Sequence, residues 1–181
     1  MSSSSLINVR SQKVALKQLA KIAEEGMISP IIRRAANQIV RDCAARDDIC
    51  ELNAIFLAVK EGTPNVPGLR KGVRYVADPR DADYYTGPEQ LLKECAQGAC
   101  AEDCDSQATL VCALAGALGF IVGLRAYSST QRGDYEHVYP VAISDRATPR
   151  AGRVLGMDTT VPESTLGWEP PRGKIETAWI Y

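Results

Sequence analysis

Cys104 stands between Asp103 and Asp105 and ahead of an almost wholly apolar stretch that runs to Leu118. The only histidine of the chain, His137, opens an alternating segment, and Asp158 closes a shorter apolar one. These residue types can make a nucleophile, a base and an orienting carboxylate. A thiol attacks carbonyl carbon well only as thiolate, so its pKa must fall or a base must take its proton. A helix N-terminus supplies part of the first, because its unpaired N–H groups and positive dipole end favour a negative sulfur. The same N–H groups can hold the oxyanion of a tetrahedral intermediate. Glu102, Asp103 and Asp105 oppose a further negative charge beside them, so a local cation is required. His137 is the histidine that can provide it, and a thiolate–imidazolium pair meets both demands. A carboxylate on the far ring nitrogen fixes the tautomer, a role that falls to Asp158.

The elements that must position these groups follow from periodicity. Residues 104–118 form a helix apolar on nearly every side, hence an internal one, closed by Gly119. Residues 120–127 read as a strand, 128–135 as a polar loop, and 137–143 as a strand whose Pro140 calls for an edge position or a bulge. Residues 154–158 form another short strand. Tyr139 shares the face of His137 and packs beneath it. Upstream, three amphipathic stripes predict three helices. Leu16, Leu19, Ala20 and Ala23 mark one ended by Gly26. Ile32, Ala35, Ala36, Ile39, Val40 and Cys43 mark a second. Ile49, Leu52, Ile55, Phe56 and Val59 mark a third, stopped by Gly62. Such stripes build core; a lid over the cleft or a docking face is the sharper alternative. Residues 73–76 suit a short strand, and Thr86-Gly87-Pro88-Glu89 resembles a capping box with Thr86 as N-cap. Beyond Asp158, Trp168 plugs the core or covers the sheet edge, and a tail leads to Tyr181.

The remaining bulk properties exclude more than they specify. Of 181 residues, 45% are hydrophobic and 24% charged, with a formal net charge of -1, which fits a globular protein without a basic surface for nucleic acid. No apolar run is long enough to span a bilayer. The serine-rich start lacks the apolar core of a secretory signal, so synthesis and residence in the cytoplasm are expected, or incorporation in a particle. Cys43 and Cys112 suit apolar helix faces as small hydrophobes. The spacing of Cys95, Cys100, Cys104 and Cys112 lacks the paired knuckles of a zinc site, and no metal or organic cofactor is expected. Cys95 and Cys100 lie near enough for a disulfide, although without a secretory signal none is needed.

Taken singly, Cys104 also suits a buried structural thiol, His137 a strand histidine with one hydrogen bond, and Asp158 a turn residue binding its own backbone. Their order is helix with Cys, strand with His, strand with Asp. With the strings Asp103-Cys104-Asp105-Ser106-Gln107-Ala108-Thr109-Leu110, Glu136-His137-Val138-Tyr139 and Met157-Asp158-Thr159-Thr160, it resembles the transglutaminase-like superfamily over residues 73–171. The resemblance implies an α+β, papain-like core (residues 67–181) with a central helix against an antiparallel sheet, and residues 1–66 as a helical extension packed on it. It implies a Cys104–His137–Asp158 triad acting on amide bonds of a protein or peptide substrate through a thioester, with protease or amidase activity favoured over cross-linking. Val73-Arg74-Tyr75-Val76 and Gly167-Trp168-Glu169-Pro170-Pro171 are most similar to small bacteriophage and prophage members. The alternative role implied is therefore a virion structural or assembly protein of capsid, neck or tail, with other virion proteins as partners. Glu102 replaces a glycine common in the family, and Ser106 a second acidic residue. For the oxyanion side-chain donor Gln90, Tyr84, Tyr85 and Gln107 are all candidates.

Overall fold

The computed structural model describes residues 12–77, 85–131 and 134–181. Among these, the chain is α+β, with five α-helices and a four-stranded antiparallel sheet. The helices are α1 (Gln12–Met27), α2 (Pro30–Ile39), α3 (Asp48–Lys60), α4 (Pro88–Ala96) and α5 (Cys104–Ala117). The strands are β1 (Arg74–Tyr75), β2 (Ala101–Glu102), β3 (Val122–Ser128), β4 (His137–Ile143), β5 (Val154–Gly156) and β6 (Lys174–Ile180). The main sheet has the order β5-β4-β3-β6, and β1 and β2 form a separate parallel pair.

Helix α5 is the centre of the molecule. Every residue from Ser106 to Ala115 is buried, because α1, α2, α3 and α4 surround it on one side and β3 and β4 on the other. Leu118 caps it, and Gly119 follows with φ of 90°, the left-handed C′ position expected. The apolar residues of α1–α3 join those of α5 and the sheet in one core, from Leu16 to Ile180, with Val66 and Leu69 in it as well. Six elements covering one helix explain how an apolar stretch of such length is buried.

Several local expectations need correction. Gly26 does not end α1; it lies within the helix, where an added Cβ would stand 2.9 Å from the side chains of Ala113 and Pro88. On the facing helix, a Cβ at Gly116 would stand 2.3 Å from Met27. The two glycines thus permit close approach of α1 and α5 rather than a break. Helix α2 starts at Ser29, whose hydroxyl accepts from the N–H groups of Ile31 and Ile32, and it ends at Ile39. Cys43 is therefore outside the helix and is disulfide-bonded to Cys50. Ile49 lies at the exposed side of α3, not in its stripe. The N-cap of α4 is Gly87, since Pro88 takes the first helical position. The Thr86 hydroxyl instead donates to Glu102 (2.7 Å), and Glu89 accepts from Ser29 and Lys93.

In the sheet, β4 is an inner strand, between β3 and β5, and it carries no bulge at Pro140. The carbonyl of Pro140 accepts from Met157 N–H, so its missing N–H would point the same way, toward the chain leaving β5. The ring is tolerated because β5 ends at Gly156, where that half of the ladder is no longer required. The segment expected to be a tail is β6, paired along its length with β3.

Candidate active site

Cys104 is the first residue of α5. Asp103 precedes it as N-cap, with its carboxylate accepting from Ser106 N–H at 3.0 Å, so the acidic neighbour is there to start the helix. The thiol is half-buried. Burial, then the carboxylate of Asp105 and that of Asp103 behind it, push its pKa well above the usual range, while the N–H of Val138 donates to the sulfur and opposes this. These surroundings work against a thiolate at Cys104 more than for one.

The Val138 donor follows from sheet geometry. Alternate residues of β4 turn their N–H and C=O toward β5, and Ala142, Pro140 and Val138 are the three of that set. Ala142 pairs with β5, Pro140 uses its carbonyl alone, and Val138 lies past the end of β5, where its N–H meets the sulfur. A short β5 is what leaves this donor to the thiol.

His137 opens β4, and its side chain is 21% exposed. Its Nε2 lies 2.6 Å from Oδ2 of Asp158, so Nδ1 is the ring nitrogen that this carboxylate does not engage. Tyr139 stacks beneath the imidazole, with ring centroids 6.0 Å apart and 19° between planes, as expected for two residues on one face. The Tyr139 hydroxyl donates to Glu169, which also receives Arg125 at 2.9 Å. Burial and then Glu169 hold the Tyr139 phenol far up, so it stays a neutral platform. The Gly167-Trp168-Glu169 segment thus acts through its glutamate. Trp168 is half-buried, and its carbonyl oxygen would lie 2.1 Å from a Cβ at Gly156, sealing the end of β5.

Asp158 is 1% exposed. Its two oxygens fulfil the two roles that the sequence left as alternatives. Oδ1 accepts from the N–H (3.0 Å) and hydroxyl (2.8 Å) of Thr160, a local turn, and Oδ2 faces the histidine. Burial works to raise the carboxyl pKa, but the bond and charge of His137 and the Thr160 donors outweigh it and hold it below the ordinary value.

Cys104, His137 and Val138 line one cavity of about 340 Å³, closed on one side by Leu16 and Leu19 of α1 and on the other by Tyr75, Tyr85 and Asp105. Helix α1 is therefore at once core and cavity wall. Of the oxyanion candidates, Tyr85 reaches this cavity. Gln90 bonds Glu94 along α4, Gln107 is wholly buried, and Tyr84 lies outside the described residues. A larger open hollow lies around Arg146, but that guanidinium is committed to Asp48, Glu51 and the carbonyl of Leu118.

The other cysteines divide differently from expectation. Cys95–Cys100 is a disulfide like Cys43–Cys50, Cys112 is free and buried against the Gly123 carbonyl, and Cys104 is the one free thiol facing a cavity. Among the described residues no cluster of His, Cys, Asp and Glu is arranged to hold a metal, and no helix is long and apolar enough to cross a membrane. Sequence reasoning missed the Val138 N–H, the Tyr139–Glu169–Arg125 chain and Lys60, which reaches from α3 to the loop after Asp158. No signal in the sequence joins residues so distant; only the strand register brings the first two to light. Neither a protein-family model, nor a curated protein, nor a solved structure matches the chain.

Proposed function

We propose that the protein is a cysteine hydrolase or acyltransferase of transglutaminase-like type, acting on an amide of a protein or peptide. The observation that carries this reading is the 2.6 Å bond from buried Asp158 to His137, which lines the same cavity as Cys104. His137 takes the thiol proton through Nδ1 as Cys104 Sγ bonds to the carbonyl carbon. Asp158 holds the tautomer and stabilises the imidazolium that forms. The helix N-terminus, with the Cys104 N–H, faces the developing oxyanion. The imidazolium then protonates the leaving amine, and the C–N bond breaks to leave a thioester. Water, deprotonated by the same imidazole, releases the acid and restores the thiol; an amine in its place gives a transfer product. Because burial and the two flanking carboxylates disfavour the thiolate, the base carries the activation in this reading.

Alkylation tests the pair without knowledge of the substrate. In the oxidised chain, iodoacetamide should modify Cys104 and spare Cys112, and His137→Ala should slow that modification at least tenfold near pH 7. An unchanged rate in His137→Ala, or equal labelling of Cys104 and Cys112, rules the activated pair out.

A further inference from the structure

We propose that Gln107 is a positioning residue for this site, joining the corner that carries Cys104 to the loop that carries Asp158. The inference rests on the catalytic reading of those two residues. Gln107 lies three residues after Cys104 in α5 and is 0% exposed. Its Nε2 donates to the carbonyl of Glu102 at 3.1 Å, and its Oε1 accepts from the Thr159 hydroxyl at 2.9 Å. Glu102 stands two residues before the nucleophile and Thr159 one residue after the acid, so one amide spans both arms of the site.

The residue type is what such a bridge requires. An amide offers a donor and an acceptor at the end of one side chain, whereas a carboxylate only accepts and a methionine does neither. Its neighbours in α5 are small or apolar from Ala108 to Ala115 apart from Thr109, so a glutamine there is costly unless both ends are satisfied, as they are. Each end is also anchored beyond the bridge. The Glu102 carbonyl receives Val76 N–H from the β1–β2 pair, and Asp158 receives both donors of Thr160. Gln107 therefore sets the separation of two local structures that are each rigid. It does not touch the cavity, so its effect on chemistry comes through the placement of Cys104 relative to His137 and Asp158. Displacement of such groups by about 1 Å can slow a reaction about 100-fold.

The experiment uses the full oxidised chain, iodoacetamide modification of Cys104, and the NMR chemical shifts of the His137 ring at one fixed pH, unambiguous in a chain with one histidine. Gln107→Met should slow modification about 10–100-fold and move the His137 ring resonances, because the carboxylate no longer meets the ring as before. Thr159→Val, which breaks one half of the bridge, should give part of the loss. Thr159→Ser, which keeps the hydroxyl, should restore the wild-type rate. The double variant should be no slower than Gln107→Met alone, since the second change removes a bond already broken. A wild-type rate and unmoved His137 resonances in Gln107→Met overturn the proposal. If that variant does not fold, equal rates in Thr159→Val and Thr159→Ser overturn it instead. A wild-type Cys104 that reacts no faster than in His137→Ala refutes the catalytic reading itself, and the role of Gln107 falls with it.

Discussion

The imidazole of His137 and the carboxylate of Asp158 meet at 2.6 Å although one begins β4 and the other follows β5 by two residues. The register places them so: Val141 pairs with Gly156, and each chain continues past the last ladder bond, β4 back to His137 and the other strand on to Asp158. Both groups thus lie beyond the end of the β4–β5 pairing, while His137 remains paired with Tyr127 of β3.

The depressed carboxyl of Asp158 gives a pH dependence with a definite sign. A carboxylate held below its unfolded value, near 3.8, contributes stability that is fully present above that value. The contribution is lost as pH falls through the lower folded-state pKa, and Asp158→Asn cannot make it. Chemical denaturation at pH 7 should show Asp158→Asn destabilised by about 1.5–3 kcal/mol, the range for a hydrogen bond to a charged group. The deficit should shrink below pH 3.8. A deficit constant with pH would show that packing, and not ionisation, is lost in the variant.

Lys60 is a second support for the acid. Its ammonium donates to the carbonyls of Val161 (2.9 Å), Pro162 (3.0 Å) and Ser164 (2.6 Å) and to the Ser164 hydroxyl (2.8 Å), which itself donates to the Asp158 carbonyl. One α3 side chain therefore gathers the whole turn after the acid. Lys60→Met keeps an unbranched side chain of similar length but removes every donor and the ammonium over the Phe56 ring. Urea unfolding should register a loss of about 1–3 kcal/mol. Alkylation of Cys104 should slow several-fold, because the turn that fixes Asp158 relaxes. Lys60→Met with wild-type stability would mean that water replaces the ammonium without cost.

What was legible in the sequence was whatever a local period or a turn residue determines. The all-round apolar character of 108–115 marked an internal helix, Gly119 its end, and alternation marked β3 and β4. The three site residues were named from element type and order, and two of them are joined directly. Pairing was not legible. Residues 174–180 contain Lys174, Glu176 and Thr177 among apolar neighbours and acquire strand structure from β3. Gly26 reads as a stop unless Ala113 is known to lie against it. Pro140 reads as an edge residue unless the end of β5 is known. Gln107, suggested as an oxyanion donor by its place near Cys104, is wholly buried because α5 is covered on every side from Ser106 on.

The two disulfides offer a comparison within one molecule. They join residues seven and five apart, and loop-closure entropy assigns each about 2 kcal/mol. Their surroundings differ. Cys43–Cys50 fastens the connection between α2 and α3, away from the cavity. Cys95–Cys100 fastens the last turn of α4 to the residue before β2, four residues ahead of the nucleophile. Replacing either pair by serine should lower the free energy of unfolding by a similar amount. Only the Cys95→Ser/Cys100→Ser variant should also slow iodoacetamide modification of Cys104, by several-fold, because Cys100 is where the segment leading to α5 is tied down. Beyond the disulfide that segment is held by the bonds of Arg74 N–H to the Cys100 carbonyl and Val76 N–H to the Glu102 carbonyl, each at 3.0 Å, and by Gln107 and Thr86 on Glu102. A Cys104 rate equal in the two variants would show that these bonds suffice, and would restrict the role of Cys95–Cys100 to stability.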